Sequence, residues 1–371
     1  MARIRLVFCL LLLSLTSAGA QTAAKMPANS PWTLQTSHTT ASLRGIHAVN
    51  THIAWASGTA GTILRTLDGG RHWHTCAIPP NAAKLDFRAI WAFDARTAWA
   101  MSSGPGSQSR LYKTIDGCAH WTLLATNHAP SGFWDALVFQ NRQKGFLLGD
   151  PVQNRFVLLT TTNGGLTWKP SNSPTLATKP GATGAFAASN SSLLAGPRDP
   201  ILFGTGGAWI YRQSYEGTVR LTSKSNTPIH MHELWTPIPT PLAQSGPSAG
   251  IFALGDNAGL PGGNGVILAA GGNYTQPNNP SCTAAWSADG GLHWHAATHP
   301  PHGYRSTVAW DPQKHAWITA GTNGSDISFD NGKNWHPLDN GNWNAISLPF
   351  IVGPNGHIGK LNHSAIHGPE N

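Results

Sequence analysis

An eight-residue pattern that recurs five times constrains the fold of this chain more than any other feature. Each copy reads Ser or Thr, any residue, Asp or Asn, any residue, Gly (once Cys118), two further residues and Trp. The copies are TLDGGRHW (66–73), TIDGCAHW (114–121), TTNGGLTW (161–168), SADGGLHW (287–294) and SFDNGKNW (328–335). Self-similarity at a regular period is typical of a repeat architecture.

The spacing of the tryptophans that end the pattern extends the repeat through the whole chain. The first three are 48 and 47 residues apart, the last two are 41 apart, and the gap from Trp168 to Trp294 is 126 residues, close to three spacings. We expect a degenerate copy at RQSYEGTVRLTS (212–223), and GIFALGD with GVILAAGGNY (250–274) begins the unit that ends in SADGGLHW. The repeat therefore continues between the third and fourth clear copies.

Each unit contains a short apolar strand, a second apolar strand that ends in glycines, a third strand before the pattern and a fourth after its Trp. The seven first strands are LRGIHAV, FRAIWAF, FWDALVF, GAFAAS, GIFALG, YRSTVAW and WNAISLP. With 41 Gly, 27 Pro and only 11% charged residues, the composition also favours short strands and tight turns. The sequence therefore predicts an all-β seven-bladed β-propeller. The strand PWTLQTS (31–37) is expected to complete the last blade and close the ring, which leaves no open sheet edge.

The amino-terminal residues predict export. A basic start, an apolar run of about a dozen residues and small residues before Gln21 indicate a signal peptide over residues 1–20. We expect a flexible segment over 21–30, the propeller over 31–363 and a tail over 364–371, with no later integral membrane segment. The predicted location is periplasmic or secreted, and the predicted state is a monomer.

Charge and side-chain chemistry argue against several partners. The net charge of +8 arises mostly from scarce acids, and there is no Lys/Arg run, so no nucleic-acid partner is expected. No Gly-rich motif opens a helix after a strand, so no dinucleotide or other cofactor is expected. Histidines two residues apart could chelate a metal, but alternation on exposed strands explains them and no metal site is predicted. These pairs are His72 with His74, His230 with His232, and His293 with His295.

Three cysteines follow the signal peptide. Cys76 lies just after the first pattern, and Cys118 replaces the glycine of the second, so stacking of adjacent blades would permit a disulfide between them. Two free thiols are the alternative. Cys282 is expected to be free.

The five copies resemble the Asp-box (BNR) repeat of β-propellers. The sequence around them is similar to that of bacterial propellers related to the photosystem II stability and assembly factor, over residues 43 to about 362. The motifs that carry this resemblance are DFRAI (86–90), GFWDA (132–136), GDPV (149–152), FGTGG (203–207), GGNY (271–274), GYRS (303–306) and GPNG (353–356). It implies a binding or assembly role with a protein partner and no catalysis. Structural roles in the box turns are expected for Asp68, Trp73, Asp116, Trp121, Asn163, Trp168, Asp289, Trp294, Asp330 and Trp335.

Three arginines at one apparent register predict a binding site on the rim opposite the box turns. Arg44, Arg88 and Arg305 occur in LRGI, FRAI and YRST, and are expected to point to the channel mouth. Guanidinium groups suit carboxylates and phosphates, so the site would take an anionic protein partner or a small anion. Local pairing with acids is the alternative. Also predicted on this rim are Tyr304, Asp135, Asp150, Tyr274 and Asn273, with the loops 102–109, 149–155 and 271–281.

A sialidase-like glycoside hydrolase with its active site at the channel mouth is the enzymatic alternative. That chemistry needs an arginine trio, a Tyr nucleophile with a Glu base, and an acid. Glu216 is expected in a box-like turn and Glu233 in a loop between blades, so neither is placed for it. The Arg-Ile-Pro signature of sialidases is also absent. No catalytic residue is therefore assigned.

Overall fold

The computed structural model describes residues 30–196, 200–216, 232–260 and 263–368, and it confirms the seven-bladed β-propeller. Each blade is an antiparallel sheet of four strands. In six blades the strands follow in chain order, and in the last blade the amino-terminal strand pairs with the third strand. The first strands of neighbouring blades pack against one another around the central channel. The predicted signal peptide lies outside the described residues.

Blades 1 to 3 have regular four-stranded sheets. Blade 1 contains β2 (Leu43–Ala48), β3 (Ala54–Gly58), β4 (Ile63–Thr66) and β5 (His74–Thr75). Blade 2 contains β6 (Phe87–Ala92), β7 (Ala98–Ser102), β8 (Arg110–Thr114) and β9 (Thr122–Thr126). Blade 3 contains β10 (Trp134–Phe139), β11 (Gly145–Val152), β12 (Arg155–Thr161) and β13 (Lys169–Pro170).

Blades 4 to 7 complete the ring. Blade 4 contains β14 (Leu193–Leu194), β15 (Leu202–Gly204), β16 (Trp209–Glu216) and β17 (His232–Pro239). Blade 5 contains β18 (Ala249–Asp256), β19 (Ile267–Asn273), β20 (Ala284–Ser287) and β21 (His295–Ala296). Blade 6 contains β22 (Thr307–Asp311), β23 (Ala316–Gly321), β24 (Gly324–Ser328) and β25 (His336–Asp339). Blade 7 contains β26 (Ala345–Ser347), β27 (Phe350–Val352), β28 (Ile358–Leu361) and the amino-terminal β1 (Trp32–Gln35).

The amino-terminal strand closes the ring as predicted. β1 pairs antiparallel with β28, from Trp32 opposite Leu361 to Gln35 opposite Ile358. The indole Nε1 of Trp32 donates a hydrogen bond of 3.2 Å to Oγ of Ser325 in blade 6. Both ends of the chain therefore hold the last blade together.

The hydrophobic core is divided among the interfaces between blades. Among the described residues, buried apolar side chains form seven clusters, and each cluster joins two neighbouring blades. Large aromatic side chains dominate them, such as Trp55 between blades 1 and 2 and Trp317 between blades 5 and 6. Full burial of such a side chain contributes roughly 1.5–3 kcal/mol. Blade stacking is therefore the main source of stability.

The box turn is a structural hairpin, as SADGGLHW illustrates. Oγ of Ser287 donates to Oδ1 of Asp289 (2.8 Å) and accepts from the amide of Gly291 (3.0 Å), while Asp289 Oδ1 also accepts from the amide of His293 (3.0 Å). Gly291 has φ of +84°, a conformation in which a side chain is strained. Trp294 packs against the cluster between blades 4 and 5. The carboxylate is occupied by the turn itself.

Blade 4 departs from the predicted repeat in two places. The expected first strand GAFAAS (184–189) is not a strand, and the innermost strand is only Leu193–Leu194. The segment predicted to hold a degenerate box begins as a continuation of β16 through Glu216, which pairs with β17. Glu216 therefore lies in a strand and not in a turn, and residues 217–231 lie outside the described part of the chain.

Irregular helical structure is limited to short turns within the described ranges. The 3-10 turns are Gly106–Gln108, Pro174–Leu176 and His363–Ala365. The last of these opens the predicted tail, and Ile366 beyond it is buried between blades 6 and 7. None of the helices described has the length and apolar character needed to cross a membrane.

A disulfide joins the first two blades. Cys76, after the last strand of blade 1, bonds to Cys118 in the box turn of blade 2, and Cys282 is free and exposed. Cys118 has φ of +71° and so keeps the conformation of the glycine that it replaces. This settles the alternative that the sequence left open, in favour of the bonded pair.

Loss of this disulfide is expected to lower the free energy of unfolding by about 3–4 kcal/mol, since it closes a loop with a sequence separation of 42 residues. Denaturant unfolding of a Cys76→Ser/Cys118→Ser variant measures this. Cys282→Ser is the matched control and should unfold like the parent. Equal midpoints for the double variant and the parent would contradict the prediction.

Candidate functional site at the channel mouth

β-bulges in the inner strands direct four side chains into the channel mouth. The pairing of first and second strands shifts at Arg44 in blade 1, Arg88 in blade 2, Asp135 in blade 3 and Phe252 in blade 5. A bulge leaves its residue unpaired and redirects its side chain. All four line a cavity of about 460 Å³. We call it the mouth cavity.

Loops on the same rim complete the mouth cavity. Asp150 from the end of β11, Tyr274 after β19 and Thr322 after β23 line it, together with Ser306 and Asn344, which precede the inner strands of blades 6 and 7. The starts of the first strands and the loops between second and third strands therefore share this rim.

Arg305 does not reach the mouth cavity, and the expectation that it would was wrong. The amide of Arg305 donates to Gly271 O in the preceding blade, as the amide of Leu43 donates to Gly353 O. Arg305 therefore occupies the register of Leu43, and Ser306 occupies the register of Arg44. A shift of one residue sends a side chain to the opposite face of a strand.

Arg305 is instead the centre of a buried polar network. Its side chain is fully buried and forms an ion pair with the equally buried Asp326, with Nε donating to Oδ2 at 2.6 Å. It also donates to Tyr304 O (2.7 Å) and Asn323 Oδ1 (2.6 Å). The other Asp326 oxygen lies 2.7 Å from His302 Nδ1, and this hydrogen bond raises the pKa of His302. Local pairing, the alternative for the arginines, therefore holds for Arg305.

The two remaining arginines differ in how they are paired. Arg88 donates from Nε to Asp86 Oδ2 (2.7 Å), and its guanidinium lies 6.0 Å from the ring centre of Phe133. Arg44 has no hydrogen bond or ion pair to another described residue, and its Nε is buried without a partner. Burial, and then the like charge of Arg88, lower the pKa of Arg44. Arg44 is thus a partly buried cation with unused donors.

Two carboxyl groups form the next part of the wall. Asp135 is 1% exposed, and its buried Oδ2 has no partner among the described residues. Burial, and then the charge of Asp150, raise the pKa of Asp135 well above its ordinary value. Burial also raises the pKa of Asp150 to about 6, against the effect of the Ala185 amide that donates to its Oδ1 at 2.9 Å. Both carboxyls therefore ionise less readily than ordinary aspartates.

Aromatic rings form the opposite wall. Phe186 stacks on Phe252 with ring centres 3.7 Å apart, and Tyr304 meets Phe252 edge-on at 4.8 Å. Burial raises the pKa of Tyr304, so its phenol stays protonated. Tyr274 is 51% exposed at the rim. The mouth cavity thus combines charged side chains from blades 1 to 3 with aromatic side chains, most of them from blades 4 to 6.

The segment 184–191, which lacks the predicted strand, crosses the channel. Its first residues line the mouth cavity, and Ser189, Asn190 and Ser191 line a second cavity at the opposite end. Ser189 Oγ donates to Ser306 O (2.6 Å), and the Asn190 side chain makes two hydrogen bonds to the backbone of Leu137. The segment therefore divides the channel and forms the floor of the mouth cavity.

The structure brings together most of the predicted rim residues but not all. Asn273 does not line the cavity, because its Oδ1 accepts from the amide (3.0 Å) and hydroxyl (2.7 Å) of Thr275 in a local turn. The sequence interpretation missed the lining residues Phe186, Phe252, Ser306 and Asn344. Phe252 could have been found, since GIFALG places it at the register of Arg44.

The geometry that a sialidase-like mechanism requires is not found in the described residues. No carboxylate among them hydrogen-bonds Tyr304 or Tyr274. Glu233 lies in the outer strand of blade 4, where it accepts from Gln213 (3.0 Å) and Trp235 Nε1 (2.8 Å). Nor does any group of three or more His, Cys, Asp or Glu side chains there form a candidate metal site.

Comparisons with known proteins agree with the fold. The family model described as BNR/Asp-box repeat matches residues 326–337. A solved structure described as YCF48 bound to D1 peptide is 15% identical and has a TM-score of 0.58, covering 90% of this chain and 97% of that one. YCF48 from Cyanidioschyzon merolae is 17% identical, with a TM-score of 0.55, covering 90% of this chain and all of that one. No curated protein matches the sequence.

Proposed function

We propose that this protein is a binding module that holds a carboxylate-bearing peptide segment of a partner protein in the mouth cavity. The observation that carries the proposal is Arg44, a partly buried cation that makes no ion pair in the described structure and whose Nε is buried without a hydrogen-bond partner. A buried charge is unfavourable until it is paired. An arriving carboxylate would supply the missing charge and accept from the unused guanidinium donors.

The aromatic side of the cavity favours a peptide over a bare anion. Phe252 and Tyr304 line the same cavity as the two arginines and offer a ring pair against which an apolar side chain can pack. The volume of about 460 Å³ falls within the range of ligand sites. Such a cavity fits a carboxylate next to an apolar side chain.

The similar structure described as YCF48 bound to D1 peptide supports a peptide ligand, because it records a propeller of this fold with a peptide bound. We extend that role to this chain as a non-enzymatic protein-binding or assembly factor. The partner is a protein, and its identity is not part of the proposal.

We also propose that the protein is exported. The basic start and apolar run of residues 1–20 support a signal peptide. The disulfide between Cys76 and Cys118 suits an oxidising compartment such as the periplasm or the medium.

Three short peptides test the proposed ligand class by calorimetry. Acetyl-Ala-Phe carries a terminal carboxylate, acetyl-Phe-Glu-amide carries a side-chain carboxylate, and acetyl-Phe-Gln-amide carries none. We expect at least one of the first two to bind and the third not to bind. The stronger of the two identifies whether a chain end or an acidic side chain is preferred. Equal binding of all three, or of none, would contradict the proposal.

A further inference from the structure

We infer that the mouth cavity takes up a proton when it binds its carboxylate ligand, and that Asp135 and Asp150 hold this proton. The inference rests on the proposed function and adds its regulation by pH. Proton uptake is independent of the arginine contacts, because the two carboxyl groups belong to a separate pair of side chains in blade 3.

The position of the two carboxyl groups supports this inference. Asp135 projects from the bulge in β10, and Asp150 lies near the end of the adjacent β11, so both line one wall of the cavity. Asp135 is almost fully buried, with one oxygen that has no partner in the described structure. A buried, ionised oxygen without a donor is costly, whereas a protonated one can donate to a ligand oxygen.

The charged groups around Asp135 and Asp150 compensate the negative charge of this pair only in part. Arg88 favours the ionised form of Asp135, but its Nε is already bonded to Asp86, and Arg44 lies on the neighbouring wall. Facing the pair from the other blades are the phenols of Tyr304 and Tyr274, and the amide of Ala185 donates to Asp150. The ion pair of Arg305 and Asp326, with His302, is not among the residues that line the cavity.

The sign of the coupling follows from these charges. In the free protein, burial and the charge of Asp150 hold the pKa of Asp135 well above its ordinary value, and Asp150, with a pKa of about 6, is mostly ionised at pH 7. A ligand carboxylate brings a second negative charge into the cavity and raises the pKa of Asp150 further. The bound state therefore holds more protons than the free state, so affinity rises as the pH falls from 8 towards 6. The gain levels off below the pKa of the free Asp150.

Calorimetry between pH 8 and pH 5.5 tests the coupling, with the tighter-binding of acetyl-Ala-Phe and acetyl-Phe-Glu-amide as the probe. If the ligand raises the pKa of Asp150 by about one unit, binding is roughly five- to tenfold tighter at pH 5.5 than at pH 8. Paired buffers of different ionisation enthalpy should show net proton uptake near pH 7. Asp150→Asn should abolish the pH dependence. The matched control is Asp94→Asn, whose parent carboxylate pairs with the exposed Arg142 on the outer surface, and it should retain the dependence.

The outcomes separate the inference from the proposed function. Binding that is independent of pH, or a pH dependence that persists in Asp150→Asn, would overturn the proton coupling and leave peptide binding intact. Absence of binding at every pH would overturn both. If Asp150→Asn does not fold, carboxyl ¹³C titration of the parent gives the answer. The apparent pKa of Asp150 must rise when the probe is added, and an unchanged value would contradict the inference.

Discussion

Replacement of Arg44 by Met is expected to weaken binding of the carboxylate probe by roughly 10- to 100-fold, the effect of losing a charge-assisted hydrogen bond. The same variant should be as stable as the parent or more stable, because the Arg44 guanidinium makes no ion pair in the described structure and its buried Nε has no hydrogen-bond partner. Loss of binding together with unchanged or increased stability distinguishes a binding residue from a structural one.

Titration of the probe and thermal unfolding of the same sample measure the two effects. Arg142→Met is the matched control, since Arg142 pairs with Asp94 on the outer surface and should leave probe affinity unchanged. Unaltered affinity of Arg44→Met for the probe would show that Arg44 is not part of the binding site. A large loss of stability in Arg44→Met would assign it a structural role.

Asp326→Asn is expected to lower the free energy of unfolding by about 3–5 kcal/mol, whereas Arg44→Met is expected not to lower it. The substitution leaves Arg305 fully buried without its counter-ion and removes an oxygen that faces His302. Removal of one member of a buried ion pair is far more destabilising than removal of an exposed one.

Denaturant unfolding of Asp326→Asn beside Asp94→Asn provides the comparison. Asp94 pairs with an exposed arginine, so its variant should lose at most about 1 kcal/mol. Similar losses in the two variants would show that the Arg305 network is not the structural anchor inferred from its burial.

The repeat and the ring were predictable because the box turn is determined locally. Its Ser or Thr, Asp and Gly hydrogen-bond to one another within a few residues, as Ser287, Asp289 and Gly291 do, so the same pattern recurs in five blades. The period then specifies the number of blades. The site on the opposite rim depends on contacts between blades, and the sequence specifies it less directly.

Two failures of prediction have physical causes. The sequence YRST resembles LRGI, but strand pairing places Ser306, and not Arg305, at the position that Arg44 occupies in blade 1. Because side chains alternate along a strand, the Arg305 side chain then points away from the channel and is buried between strands. GAFAAS resembles an apolar inner strand, but its residues cross the channel, where Phe186 stacks on Phe252. Both positions depend on contacts between segments distant in the chain.

The sequence predicted Asp135 and Asp150 as two separate rim residues, and it did not predict that their carboxyl groups interact. GFWDA and GDPV place Asp135 and Asp150 on the same rim. Burial by neighbouring blades gives both carboxyls their raised pKa values, and periodicity carries no information about that burial.

A crystal structure of the protein with the tighter-binding carboxylate peptide shows whether the mouth cavity is the peptide site. We expect the peptide in the mouth cavity, with its carboxylate within hydrogen-bonding distance of the Arg44 guanidinium and its ring against Phe252 and Tyr304. A probe bound at the box-turn rim or in the cavity at the opposite end of the channel, with Arg44 still unpaired, would contradict it.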